Sequence, residues 1–178
     1  MSINGESYQV LGTGSYVVGD LDNRFNIPIE IGKYTSIAHG VKILGNQHAL
    51  VIHRKIATTY PFDAKMGLPF PSGDPGIKPI KIGSDVWIGA YTSVMSGVII
   101  GDGAIIGACA VIAKDVPPYA VVVGNPGQIK KYRYTEDQIK KLLRIKWWDW
   151  SEAEIAERYP SLEDIDLLLK TYDIGSQT

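Results

Sequence analysis

The chain has a single cysteine, almost no net charge and no long apolar run. Because Cys109 has no second thiol to pair with, an intrachain disulfide is excluded, and we expect a reducing compartment, the cytoplasm. Lysine and arginine number 18 against 19 for aspartate and glutamate, so no overall field attracts nucleic acid or an anionic membrane.

Membrane and secretion signals are also missing from the sequence. Apolar runs such as the valines at 121–123 are far too short to cross a bilayer, and residues 1–5 lack the charged and apolar regions of a signal peptide. We therefore expect neither a membrane nor a nucleic-acid partner. The length of 178 residues suits one core-forming domain with an appendage.

An aliphatic residue recurs every six positions through the middle of the chain. The series is Ile82, Ile88, Val94, Ile100, Ile106 and Ile112. Four places after each member stands a small or β-branched residue: Val86, Thr92, Val98, Ala104, Ala110 and Val116. A period of six fits neither an α-helix nor an alternating strand, but it suits a coil with three short faces. We predict a solenoid in which both series point inward, with the small residue that usually follows the aliphatic one in a tight corner.

Residues 82–117 would make two turns of this coil, and residues 31–43 repeat the pattern and supply most of an earlier turn. The repeat lapses between these two stretches, where the chain is rich in proline and glycine. A long irregular segment inside a compact domain is usually functional. It carries two of the three histidines, His48 and His53.

From Thr135 the periodicity becomes helical. Thr135 with Gln138, and Ser151 with Glu154, have the spacing of capping boxes, which predicts helices near 136–145 and 152–158. We expect a third helix to begin at Ser161.

The predicted organisation is a β-coil over residues 1–134 with an inserted loop at 44–81, followed by a helical arm at 135–178. Three tryptophans fall between the first two helices, at positions 147, 148 and 150. We interpret them as a hydrophobic plug that seats the arm on the coil, because large buried aromatic side chains dominate packing energies.

Four segments are distinctive in combination. They are the 31–43 turn, Thr58-Thr59-Tyr60-Pro61-Phe62, Asp85-Val86-Trp87-Ile88-Gly89 and Ile145-Lys146-Trp147-Trp148-Asp149-Trp150. Together they resemble the xenobiotic acetyltransferases, the group that includes streptogramin and hexapeptide-type chloramphenicol O-acetyltransferases. The resemblance covers about residues 31–150. It implies an all-β solenoid of the left-handed parallel β-helix type, assembled as a homotrimer, that moves an acetyl group from acetyl-CoA to a hydroxyl of a small molecule.

The same resemblance implies where acetyl-CoA binds, in a groove between neighbouring coils. Matched by motif, the donor contacts fall at Trp87, Ala90, Gly107, Ala108, Ala113, Lys114 and Lys131. Lys130, Lys131 and Arg133 form a local basic cluster, which either meets the nucleotide phosphates or is a solvated charge run. No metal is expected to take part.

Acetyl transfer to a hydroxyl needs a base, and imidazole, with a pKa of about 6.5, suits neutral pH. The resemblance implies one catalytic histidine shortly before the segment 58–62. His53 has the better spacing to that segment, whereas His48 follows Asn46 and has the better distance from Ile31. We favour His53 and keep His48 as the alternative.

Two other functions stay open at this point. A zinc hydrolyase resembling γ-type carbonic anhydrases would use His48 and His53 with His39 as a third ligand, although the tryptophan-rich arm has no place in that family. A solenoid that only scaffolds other proteins would bind neither acetyl-CoA nor metal. We interpret His39 as structural, and Cys109 as no nucleophile, because no base lies near it in the sequence.

The acceptor is not defined by the sequence. An antibiotic, a polysaccharide sugar and another alcohol all remain candidates, and so does a physiological role in antibiotic resistance.

Overall fold

The computed structural model describes residues 9–23, 26–45, 65–66 and 78–173. The strands of this part are β1 (Gln9–Leu11), β2 (Tyr16–Val17), β3 (Ile29–Ile31), β4 (Ser36–Ile37), β5 (Lys42–Leu44), β6 (Ile80–Ile82), β7 (Trp87–Ile88), β8 (Ser93–Met95), β9 (Ile99–Ile100), β10 (Ile105–Ile106), β11 (Val111–Ile112), β12 (Ala120–Val123) and β13 (Gln128–Tyr132). The helices are α1 (Glu136–Ile145), α2 (Glu152–Leu162) and α3 (Ile165–Tyr172), with a 3₁₀ turn at Trp147–Asp149.

The chain visits three sheets in turn. Sheet 1 has the order β1-β3-β6-β9, sheet 2 the order β13-β12-β10-β7-β4-β2, and sheet 3 the order β11-β8-β5. Consecutive strands lie in consecutive sheets: Ile37 is in sheet 2, and Ile43, six residues later, is in sheet 3. Trp87 pairs in parallel with Ile105 of the following turn. One passage through all three sheets from β7 to β10 therefore takes 18 residues. We call the bend from sheet 1 to sheet 2 the first corner, from sheet 2 to sheet 3 the second, and from sheet 3 back to sheet 1 the third.

One hydrophobic core lies between the three sheets. Every member of the two predicted series between positions 82 and 116 is at most 5% exposed, and the aliphatic residues of the 31–43 turn are buried with them. The prediction that both series point inward is confirmed. Burying an aliphatic side chain of this size stabilises the fold by about 1.5–3 kcal/mol.

The tight corner lies two residues beyond the position that the repeat predicted. The glycine after the aliphatic residue is small for another reason: a Cβ at Gly89 would stand 2.5 Å from the backbone nitrogen of Ala108 on the next turn. The residue that bends the chain adopts a left-handed conformation three places after the aliphatic one. These residues are Asp85, Tyr91, Gly97, Gly103 and Cys109, with φ between 56° and 84°.

The tryptophan segment packs as predicted. Trp148 is 4% exposed and lies in a second apolar cluster with Tyr119, Leu142 and Leu168, which joins the coil to the helices. Trp147 packs against Tyr34, with ring centroids 5.3 Å apart.

The helices agree with the sequence at their beginnings more than at their ends. Helix α1 spans the predicted residues, and Thr135 and Ser151 form the two expected capping boxes. Helix α2 runs past the predicted end through Pro160. Helix α3 begins at Ile165 instead of Ser161, because the Asp164 side chain accepts from the first free amides there. No helix in the described ranges is both long and apolar enough to cross a bilayer.

We expect Gly89→Ala to lower the free energy of unfolding by about 1–3 kcal/mol, because the new methyl group meets backbone atoms that cannot turn aside. Gly107→Ala is the matched control: its new Cβ would meet the Val123 methyl group at 2.8 Å, and a side chain can rotate. Chemical denaturation of both variants checks this, and an equal loss in the two would contradict the close stacking described above.

Trp148→Ala should cost about 3–5 kcal/mol of unfolding free energy, because it empties the centre of the cluster that holds the arm. Trp87→Ala removes the same side chain from a position that is 53% exposed, so its thermal midpoint should stay near that of the parent. If both substitutions shift the midpoint alike, Trp148 does not have the packing role assigned to it.

Candidate functional site

The third corner is where the segment that carries both candidate histidines is attached to the coil. The Ser96 amide donates to the Leu44 carbonyl at 2.8 Å. The Ser96 hydroxyl donates to the Lys78 carbonyl at 2.9 Å and accepts from the Lys78 amide at 2.8 Å. His48 and His53 lie outside the described residues, so the choice between them stays a prediction. Their segment nevertheless leaves and rejoins the coil at this corner.

Two candidate donor contacts lie at the same corner. Val94 pairs with Ile112, so Lys114, two residues further on, lies one turn from Ser96. Both Ala113 and Lys114 are exposed. The coil therefore brings these two residues close to the third corner, where the histidine segment leaves and rejoins it, although they are far from that segment in sequence.

Three more of the candidate donor contacts meet at the second corner. The Cys109 amide donates to the Ala90 carbonyl at 2.9 Å, which stacks Ala108 beside Ala90 on adjacent turns. Gly107 precedes Ala108 on the same turn, and its amide donates to the Val122 carbonyl at 2.8 Å. With such small side chains, an extended ligand can lie close to the backbone here.

The remaining two contacts share one register row of sheet 2. Trp87 pairs with Ile105, Ile105 with Val121, and Val121 with Lys131. Three strand spacings put Trp87 and Lys131 roughly 14 Å apart. Trp87 presents an exposed indole beside two half-buried aliphatic side chains, and Lys131 ends the row with an exposed charge.

The seven candidate donor contacts are spread over an open surface. Three cavities of about 590, 390 and 510 Å³ open on the described part of the molecule, and none of the seven residues lines any of them. These three cavities therefore do not mark the candidate donor contacts, which lie along two corners and one sheet face.

Arg133 does not belong to the basic cluster in which the sequence placed it. Its Nη1 donates to Asp85 Oδ2 at 2.9 Å and to the Gly103 carbonyl at 2.8 Å. The guanidinium also lies 5.3 Å from the ring centroids of Tyr119 and of Tyr134. Its charge is thus engaged within the fold, and the sequence offered no signal for this pairing across 48 residues.

Arg133, Asp85, Tyr119 and Tyr134 form one cluster, the Arg133 cluster. It is partly removed from water, which shifts the pKa values of its acidic groups. Burial raises the pKa of the Asp85 carboxyl above its usual value, although the charge of Arg133 acts in the opposite direction. Burial likewise raises the pKa of the Tyr119 phenol. Tyr119 therefore stays protonated at neutral pH, and its hydroxyl has no hydrogen-bond partner among the residues described.

The other histidine and the cysteine lie at the second corner. His39 is exposed, and its ring meets the edge of the Tyr91 ring with centroids 4.9 Å apart, as expected of a residue in a structural turn. Cys109 is also exposed, next to Ala108. Within the described ranges, no group of three His, Cys, Asp or Glu side chains is placed to hold a metal ion.

Comparison with known proteins agrees with the repeat. Residues 79–114 match the family model "Bacterial transferase hexapeptide (six repeats)". A probable macrolide acetyltransferase from Lysinibacillus sphaericus is 44% identical over 132 residues, which cover 70% of this chain and 71% of that protein. A chloramphenicol acetyltransferase from Agrobacterium fabrum is 39% identical over 137 residues, 73% of this chain and 64% of the relative.

Among solved structures, a maltose O-acetyltransferase from Clostridium difficile 630 superposes with a TM-score of 0.55 at 30% identity, covering 71% of this chain and 60% of that one. The matched stretch thus spans about two thirds of the length of these relatives. The aligned stretches are longer than the hexapeptide run together with either flank, so the similarity extends to both sides of residues 79–114. The chain therefore belongs to the hexapeptide-repeat acetyltransferases, in the group that contains macrolide and chloramphenicol acetyltransferases.

Proposed function

We propose that this chain transfers an acetyl group from acetyl-CoA to a hydroxyl group of a small molecule. The observation that carries the proposal is the 44% identity, across 70% of the chain, to a probable macrolide acetyltransferase. The small residues at the second corner, of which Ala108 is exposed, and the exposed lysines support it, because they suit a long ligand with a phosphate-bearing end.

The architecture that we propose is a left-handed parallel β-helix over residues 1–134, with an inserted segment between β5 and β6 and a helical arm at 135–178. Leu44, Ile80 and Lys81, which the sequence assigned to the loop, belong to these two strands. Three sheets that are parallel except for the antiparallel pair β12–β13, with one shared core, support the helix. The hand is inferred from the family, since the six-residue period is the same for either hand.

The donor site that we propose runs from the second corner toward the exposed lysines. Ala90, Gly107 and Ala108 would let the pantetheine arm approach backbone amides, and Trp87 would flank it. Lys114 and Lys131 would meet the phosphates: both are exposed, and neither forms an ion pair with any residue that the structure describes.

The chemistry that we propose is direct transfer. The imidazole of His53, or of His48, takes the acceptor's hydroxyl proton as the hydroxyl oxygen attacks the thioester carbonyl carbon. A backbone amide in the groove would stabilise the negative charge that develops on the carbonyl oxygen. When the carbon–sulfur bond breaks, the imidazolium returns the proton to the departing sulfur, which leaves as free CoA thiol.

The acceptor that we propose is an antibiotic that carries a hydroxyl group, with a sugar as the alternative. The relatives named above act on macrolides, chloramphenicol and maltose, which all bear hydroxyl groups. We also propose a homotrimer in the cytoplasm. The spread of the candidate donor residues over two corners and one sheet face supports a site that a neighbouring copy completes.

His53→Ala should lower kcat by about 10²–10⁴, because it removes the base, while His48→Ala should change kcat little. The assay is acetyl-CoA-dependent thiol release with chloramphenicol, macrolides and maltose as acceptors. In the active variant, kcat/KM should fall as the pH drops below about 6.5, where the imidazole is protonated. The reverse pattern assigns the base to His48, and full activity in both variants rules out a loop histidine as base.

Lys114→Gln and Lys131→Gln should each raise the KM for acetyl-CoA about threefold to tenfold and leave kcat nearly unchanged, because each removes a cation that pairs with phosphate. The difference from the parent should shrink at high salt, which screens exposed charges. Lys140→Gln is the control: Lys140 pairs with Glu136 on the surface of α1. An unchanged KM in both test variants would remove these lysines from the donor site.

A further inference from the structure

Strand β13 is an edge strand that is exposed along its whole length. All five of its residues are exposed, and within the described part of the chain β12 is its sole strand partner. Such a strand has little side-chain packing to hold it in place. Its position must therefore depend on its backbone pairing and on whatever holds its ends.

The pairing of β13 contains an irregularity at the two lysines. Val121 lies opposite Lys131, but Val122 lies opposite Ile129, so Lys130 is an extra residue in the strand. A bulge of this kind re-aims side chains and leaves the local pairing weaker. Regular strand pairing alone therefore does not fix the direction in which the side chains of Lys130 and Lys131 point.

Both ends of β13 are held. At its beginning, the Gly127 amide donates to the Val111 carbonyl at 2.8 Å. At its end, the Arg133 amide donates to the Tyr119 carbonyl at 2.9 Å. The Arg133 side chain adds the ion pair with Asp85 and the bond to the Gly103 carbonyl, which reach two further turns of the first corner.

The Arg133 anchor is firmer than an ordinary surface ion pair. The side chains of Arg133 and Asp85 are 25% and 26% exposed, compared with 42% and 54% for Lys33 and Asp149. Two aromatic rings also face the guanidinium. A lysine does not reproduce this arrangement, because its ammonium group has no planar face to lie over the two rings.

We propose that Arg133 is a positioning residue for the donor's phosphates. By fixing the end of β13, it sets the direction of Lys130 and Lys131 without touching acetyl-CoA itself. This inference rests on the proposed function, because it takes acetyl-CoA as the donor and β13 as part of its site.

The test compares two donors that differ in their phosphates. Acetyl-CoA carries the nucleotide phosphates, whereas S-acetyl-pantetheine has the same thioester without any phosphate. For Arg133→Lys we expect the KM for acetyl-CoA to rise about tenfold, with kcat within twofold of the parent. With S-acetyl-pantetheine, kcat/KM should stay within about twofold, since that donor makes no phosphate contact to lose.

A second variant guards against loss of folding in the first. Asp85→Asn removes the charge that holds Arg133, and asparagine tolerates the left-handed φ of 56° at this position. It should reproduce the selective loss on acetyl-CoA. Arg158→Lys is the matched control, because Arg158 also lies over two aromatic rings, Trp150 and Tyr172, but its ion pair is with Glu154 on the same helix, α2. It should leave both donors unaffected.

The outcomes separate the inference from the function on which it rests. A loss confined to acetyl-CoA in both cluster variants supports the positioning role. An equal loss on both donors, or no loss, overturns it. If the parent enzyme uses both donors equally well, the phosphates are not bound near β13, and this inference fails while acetyl transfer stands. If the parent uses neither donor, the proposed function itself fails.

Discussion

Close stacking of one turn of chain on the next is the constraint on which the rest of this molecule depends. At Gly89 the backbone of the neighbouring turn lies so near that even a methyl group would collide with it. This approach lets Trp87 pair with Ile105 and lets the aliphatic residues of three sheets meet in one core. Because each strand has only two to five residues, no single sheet would be stable alone, and stability comes from the stack.

The stack also decides which residues can act together. Residues 18 positions apart fall beside one another, so Ala90 meets Ala108 at the second corner, and Lys114 lies beside the root of the histidine segment at the third. The arm closes the first corner with Trp148 and Tyr119. A donor held along the second and third corners would therefore lie on the two edges that the arm leaves open.

The six-residue period predicted which residues of the three sheets are buried, because it is a local pattern that can be read from the sequence alone. All twelve residues of its two series are buried, and α1 begins and ends where its capping box and apolar spacing put it. Helix α2 extends beyond its predicted end at residue 158 and continues past Pro160 to Leu162, although a proline disfavours a helix interior.

The pairing of Arg133 with Asp85 could not be predicted, because it joins residues that come together only after the coil has closed. The position of the bends was missed for another reason, which is local. The left-handed site is occupied by Asp85, Tyr91 and Cys109 as well as by glycine, so residue type alone does not mark it. The histidines illustrate a different limit: spacing to the segment 58–62 favours His53, distance from Ile31 favours His48, and both residues lie outside the described part of the chain.

The central claim is that successive turns of one coil build the donor site. A crystal structure of the protein with CoA tests it most directly. The account predicts the pantetheine arm beside Ala90 and Ala108 and the phosphates within reach of Lys114 or Lys131. CoA bound in the cavity between the coil and the arm, which Tyr119, Arg133 and Trp147 line, or on the face of sheet 1, would contradict it.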